Sequence, residues 1–228
     1  MSGAALISGI CWTFVYIFTV YRGFKDKSYG MPLVALALNF TWEIVYSFVY
    51  PPTESSAVLT VINTVWCILD AVIVVTFLLN GYKHFKDSYN MSKGVFYIVT
   101  CLSFVLCFLF MYESGPFFKD LDYFKGETFE VGKFIANYQN AVMGALFVHM
   151  FYSRKKNGDG VKGMSFYAAV FKMIGTSFTV GITQVTSHPG CWQMVGIAEC
   201  ANIIFDIWYV LLLYRELKAE GINPWKRV

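Results

Sequence analysis

The sequence predicts an all-α membrane protein, seven transmembrane helices in a single domain spanning residues 1–228. Three observations predict it. Of 228 residues, 57% are hydrophobic and 14% charged, whereas an average globular chain carries about a quarter of its residues charged. The chain contains seven apolar runs of the roughly 20 residues that a bilayer-crossing helix needs. Its Lys and Arg residues gather in alternate connections between those runs. Together these exclude disorder, a coiled coil and an ordinary water-soluble enzyme. The net charge of +3 is small, and its layout suits membrane orientation, not nucleic-acid binding.

The runs lie at residues 2–21, 31–50, 57–80, 94–112, 132–152, 163–186 and 192–214. No basic segment precedes the first, and it is long enough to span, so it reads as a retained helix and not a signal peptide. The connections are short except for Glu113 to Val131. Between runs 1 and 2, 3 and 4, 5 and 6, and in the C-terminal tail, lie 14 of the 18 Lys and Arg residues. The N-terminus and the other connections hold only Lys119 and Lys125, while Lys133 and Lys172 fall inside runs. This asymmetry puts the C-terminus in the cytoplasm and the N-terminus outside or in a lumen. The compartment would be the endoplasmic reticulum in a eukaryote and the plasma membrane in a bacterium. Of 6 cysteines, only Cys191 falls at a connection; Cys11, Cys67, Cys101, Cys107 and Cys200 read as small packing residues. No Cys or His spacing suggests a metal.

An internal duplication is visible. Gly30-Met31-Pro32 opens run 2 and Gly163-Met164-Ser165 opens run 6, 133 residues on. Run 3 carries Asn63, Trp66 and Asp70 at i, i+3, i+7, and run 7 carries Glu199, Asn202 and Asp206 at the same spacing, 136 residues on. Two three-helix units joined by a single helix would form a 3+1+3 parallel repeat, with Asp70 and Asp206 at equal depth across a central cavity.

Four carboxyls lie well inside these runs: Glu43, Asp70, Glu199 and Asp206. Each costs about 2.5–3.5 kcal/mol if ionised at a helix centre, roughly 10 kcal/mol for the set. They are expected to face the bundle interior, paired or protonated. One reading makes them polar glue between helices; the other makes them a functional site. Glu43 and Glu199 fall at similar depth, and Asp206 about 10 Å deeper, so one outward-opening cavity would contain all three. Asn39 lies one turn from Glu43 on the same face. Trp42 and Tyr46 flank Glu43, and Trp66 and Tyr209 approach from other helices. A carboxyl among such rings can stay neutral and give its proton to a weakly basic substrate, and the ring faces would stabilise a cation. Most other aromatic residues read as belt or packing residues.

The second-run segment Asn39-Phe-Thr-Trp42-Glu43, followed by Tyr46 and Pro51-Pro52, resembles the signature of the membrane-integral terpene cyclases of meroterpenoid and indole-diterpene pathways. Asp206-Ile-Trp-Tyr209 ahead of Tyr214-Arg215 is similar to that family's closing segment. The resemblance implies a cyclase that protonates a terminal epoxide or olefin of a prenyl chain on an aromatic, polyketide or indole core. Its two essential acids would fall on Glu43 and Asp206. The implied partners are a hydrophobic prenylated small molecule and the lipid bilayer, with no nucleic acid and the oligomeric state open. The sequence has neither DDxxD nor DxDD, the nearest stretch being Lys119-Asp120-Leu121-Asp122, so neither a metal nor another cofactor is expected.

The substrate-facing set is completed by Asn63, Asp70, Asn140, Glu199 and Asn202. Asn137 and Asn140 read equally as cavity lining or helix bridges, Lys172 as snorkelling or paired with a carboxylate, and His149 as an interface residue. The aromatic segment Glu113 to Val131 reads equally as a lid and as a surface loop. A small seven-helix sugar transporter of SWEET type shares the 3+1+3 layout, but the repeat lacks a Pro-Gln pair and sets Thr176 opposite Glu43. A retinal protein would need a lysine where Asp206 stands.

Overall fold

The computed structural model describes residues 3–51, 57–177 and 192–228. Cys191, Pro52 and the last part of the sixth run lie outside them. The described residues form α1 (Gly3–Lys25), α2 (Leu33–Ile44), α3 (Ala57–Tyr89), α4 (Lys93–Phe118), α5 (Thr128–Lys156), α6 (Phe166–Gly175) and α7 (Trp192–Ala219). Ser92 and Ser165 cap α4 and α6, each accepting a hydrogen bond from the backbone N–H three residues on, as helix N-termini require. Past Ile44, α2 widens into a π-helical turn over Val45–Val49.

By length and composition, α1, α4, α7 from Gln193 and α3 from Thr60 can cross a membrane, while Leu33–Val49 and α6 are shorter apolar helices. The 29-residue α5 is long enough, but Asn137, Gln139 and Asn140 interrupt its apolar character. Several helices outrun the apolar stretches. In α3 the helix continues through Lys83, His84, Lys86 and Asp87, because backbone hydrogen bonding continues where hydrophobicity stops. The ends of Glu113 to Val131 belong to α4 and α5 and residues 119–127 between them are turns, with Phe124 and Val131 buried alongside Tyr46 and Met111.

Neighbouring helices follow the order α1, α3, α2, α5, α7, α6 and back to α1, with α4 lying on α2 and α5. Exchanging the first three helices for the last three reproduces this order. Each unit packs its first helix on its third and its second on its third, and each second helix meets the other unit's first. α4 turns Ile98, Leu102, Leu106 and Leu109 outward, the side chains expected to meet lipid.

Hydrogen bonds join the two units at the Lys/Arg-rich end. Gly163 N donates to Asp26 Oδ2 at 2.8 Å. Arg154, fully buried, donates to the carbonyls of Lys162 and Tyr29 and lies 4.4 Å over the Tyr29 ring. Arg227 adds hydrogen bonds to Asp26 and to the carbonyl of Val161. Gly163 is required here: its φ is +74°, and a Cβ would lie 2.5 Å from the Tyr29 carbonyl oxygen. The largest apolar core, including Tyr16, Leu36, Phe77, Phe147, Met164, Tyr209 and Leu213, fills much of the bundle interior, and a second one around Tyr46 joins α2, α4 and α5.

Candidate active site

Asn39 and Glu43, one turn apart on α2, face inward because this helix packs on α3, α4 and α5 and buries most of its surface. The Asn39 amide is the hub. Its Nδ2 donates to Tyr16 Oη at 2.8 Å and to Asp70 Oδ2 at 2.7 Å, with Glu43 Oε1 at 3.4 Å. The Tyr16 hydroxyl in turn donates to Glu43 Oε1 at 2.5 Å. Gln139 of α5 holds the hub from the other side, donating from Nε2 to Asn39 Oδ1 at 3.0 Å. Four helices thus meet on one amide. Glu43 and Asp70 are almost fully buried, and Glu43 Oε2 and Asp70 Oδ1 have no hydrogen-bond partner among the described residues. No salt bridge among the described residues reaches either carboxyl.

Glu43 also lines a cavity of about 180 Å³, which Trp12, Tyr16, Trp42 and Trp66 share with Asn39, Gln139, Asn140 and Lys133. Two indoles are fixed by their own N–H groups. Trp42 Nε1 donates to the Gly132 carbonyl at 2.8 Å, and Trp66 Nε1 to Thr13 Oγ1 at 3.0 Å. Their faces are therefore held in place before any ligand arrives. Asn140 brings a buried carbonyl oxygen with no partner among the described residues. The single cation on the described walls, Lys133, is tied to Glu130.

Glu199, Asn202 and Asp206 are not on the described walls of this cavity, contrary to the expectation of one cavity holding Glu43, Glu199 and Asp206. They form a second buried cluster on α7. Asp206 Oδ1 accepts from Lys172 Nζ at 2.6 Å, both side chains 3% exposed. Asn202 donates to Glu199 Oε2 at 3.3 Å and to the Asn137 carbonyl at 3.4 Å. The physical reason is the neighbour order: α6 lies between α1 and α7, so Lys172 reaches Asp206 while α5 turns Asn140 toward Glu43. Lys172 is a carboxylate partner, one of the two readings its sequence position left open.

Other singled-out residues lie apart from the Glu43 cavity. Tyr46 is buried against α4, its hydroxyl 2.9 Å from Ser114 Oγ, because the π-helical turn carries it away from the Glu43 face. Tyr209 stacks at 5.1 Å from Phe147 and lines a small void below Lys172. Asn63 is buried on α3 and Asp70 sits behind Asn39, neither on the described walls. Sequence reading missed Trp12, Tyr16 and Gln139. The available signal was the spacing of Trp12 and Tyr16, four residues apart on the first run, where one face of α1 turns inward. Among the described residues no group of three or more His, Cys, Asp or Glu side chains comes together, and Cys11, Cys67, Cys101, Cys107 and Cys200 are free thiols.

Residues 1–215 match the family described as Pyr4-like transmembrane terpene cyclases. The terpene cyclase macJ of Penicillium terrestre is 42% identical over 86 residues, covering 38% of this chain and 32% of macJ. The terpene cyclase pyr4 of Aspergillus fumigatus is 38% identical over 84 residues, covering 36% of this chain and 34% of pyr4. Those two matches therefore span about a third of each relative's length. The Pyr4-family terpene cyclase mfmH of Annulohypoxylon moriforme is 29% identical over 227 residues, covering 95% of this chain and 88% of mfmH. No solved structure matches the chain.

Proposed function

Because the chain belongs to the Pyr4-like transmembrane terpene cyclases, we propose that it cyclises a prenyl chain carried on an aromatic, polyketide or indole core, starting from a proton delivered by Glu43. The observation that carries this reading is the buried Glu43 carboxyl on the wall of an indole-lined cavity, with one oxygen free and no cation paired with it among the described residues. Family membership does not support the sugar-transporter reading.

The step balances without a redox partner. The Glu43 O–H bond breaks as a new bond to hydrogen forms on the epoxide oxygen or the terminal alkene carbon. The resulting carbocation is captured by the next double bond of the chain, and so along the polyene. The last cation closes by losing a proton or by capture at a hydroxyl oxygen of the core, whose O–H bond then breaks and releases its proton, so the product is an isomer of the substrate. Trp12, Trp42, Trp66 and the Tyr16 ring present π-faces to the positive charge. Their fixed orientation stabilises it without reorganisation during the reaction. Tyr16 and Asn39 hold the Glu43 carboxyl and, with its proton gone, remain as donors to the carboxylate. The polar residues on the walls, Asn140, Asn137 and Lys133, offer partners for the oxygen-bearing core. No step needs a metal, since no pyrophosphate has to leave.

The same reading takes all seven helices as membrane spans, with the Lys/Arg-rich end in the cytoplasm and the N-terminus opposite. α2 and α5 then owe their polar residues to lining the interior and not the lipid.

Membranes carrying the protein would be given farnesylated and geranylgeranylated aromatic substrates, with and without a terminal epoxide. The expected result is a product of unchanged mass, with the fully cyclised form lost in Glu43→Gln and in Asp206→Asn. Absence of any isomer from every substrate, with labelled solute crossing proteoliposomes, would overturn the reading.

A further inference from the structure

One register position is shared by the two three-helix units and holds different residues. The 133-residue offset that aligns Gly30 with Gly163 also aligns Asn39 with Lys172 and Glu43 with Thr176. The offset of the polar stripes aligns Asp70 with Asp206. The structure makes both aligned pairs into the same contact. Asn39 Nδ2 donates to Asp70 Oδ2 at 2.7 Å, and Lys172 Nζ donates to Asp206 Oδ1 at 2.6 Å. In each unit the second helix donates to the aspartate of the third.

What differs is charge. An amide satisfies a hydrogen-bond acceptor and brings no charge, whereas an ammonium brings one. The first unit therefore holds two buried carboxyls, Glu43 and Asp70, around a neutral hub. The second holds Asp206 opposite a cation, with a hydroxyl at Thr176 where the first has Glu43. The groups facing the first pair are the Tyr16 hydroxyl from α1, the Gln139 amide from α5 and the half-buried Cys67 thiol from α3; Lys133, on the cavity wall, is held by Glu130. The groups facing Asp206 are Lys172 from α6, the Ser177 hydroxyl just past the end of α6 and, on its own helix, Glu199. Two ionised carboxylates in apolar surroundings with no counter-charge are heavily disfavoured, whereas a well-paired ion pair is tolerated.

We propose that this position assigns the protons of the molecule. Asn39 is a positioning residue that lets Glu43 and Asp70 hold a shared acidic proton, and Lys172 is one that holds Asp206 as a carboxylate. Asp206 is thereby barred from initiating, and Asp70 becomes the group that shares and restores the proton Glu43 gives away. The consequence for turnover rests on the cyclase reading above; the protonation states rest on the two contacts alone.

Exchanging the two residues tests this. Infrared spectra of the purified full-length protein in detergent read protonated carboxyls directly, without substrate. Glu43→Gln is expected to retain a protonated-carboxyl band from Asp70, and adding N39K, which copies the ammonium–aspartate pair of the second unit, should abolish it. K172N copies the Asn–Asp pair the fold already contains, and should add a band that D206N removes. K172R should leave the spectrum as in the wild type. In the otherwise native protein N39K should reduce cyclisation at least about 100-fold, the lower bound for a lost general acid. An N39K/E43Q protein that keeps the Asp70 band, or a K172N protein that gains none, would overturn the proposal. Spectra that respond as expected in a protein that cyclises nothing would instead overturn the cyclase reading and leave the proton assignment standing.

Discussion

Around Glu43 the structure gathers indoles, a phenol, two amides and a second carboxyl; around Asp206 it gathers a lysine, an asparagine and the carboxyl of Glu199. In both sets the central contact is a second-helix nitrogen on a third-helix aspartate. In the Asp206 set the aspartate is paired with a cation, Lys172. In the Glu43 set two carboxyls have no paired cation among the described residues, and Glu43 faces the cavity. On the proposed function, the difference teaches that in a bilayer a reactive acid can be made by withholding a counter-ion, because the surrounding lipid and protein offer no other way to ionise.

The comparison can be broken most forcefully on the reactive side. Glu43→Gln keeps shape and hydrogen bonding but has no proton to give, so turnover should fall about 10³-fold or more, measured as isomeric product per unit of membrane protein. On the closed side, Lys172→Met strands a buried carboxylate, and thermal unfolding in detergent should show a loss of about 3–5 kcal/mol. A smaller effect should come from the joint between the units. Gly163→Ala forces a side chain into a left-handed turn against the Tyr29 carbonyl, with an expected loss of about 1–3 kcal/mol by the same measurement. The finest test is Tyr16→Phe, which deletes the hydroxyl between Asn39 and Glu43. A tenfold fall in turnover at unchanged unfolding temperature corresponds to about 1.4 kcal/mol, the scale of one hydrogen bond.

The helices and the repeat were legible because apolar length and polar spacing are local properties of the chain. Glu43, Asn39, Trp42, Trp66 and Asn140 could be placed at a cavity because charged and amide groups in an apolar run need an interior, and Trp42 is next to one in sequence. Tyr16 and Trp12 were hidden, since a tyrosine or tryptophan in an apolar helix is as ordinary at a membrane interface as in a site. Tyr46 was misplaced by the π-helical turn over Val45–Val49, which no simple periodicity announces. The separation of Asp206 from Glu43 depends on α6 lying beside α7, a long-range fact that spacing along one helix does not contain.

The account rests on Glu43 giving the proton and Asp206 withholding one, and parallel incubations of Glu43→Gln and Asp206→Asn with an epoxide-bearing prenylated aromatic test that division most directly. Glu43→Gln should return the substrate intact. Asp206→Asn should still consume it, releasing partly cyclised or water-quenched products. A Glu43→Gln enzyme that opens the epoxide, beside an Asp206→Asn enzyme that leaves it untouched, would contradict the account.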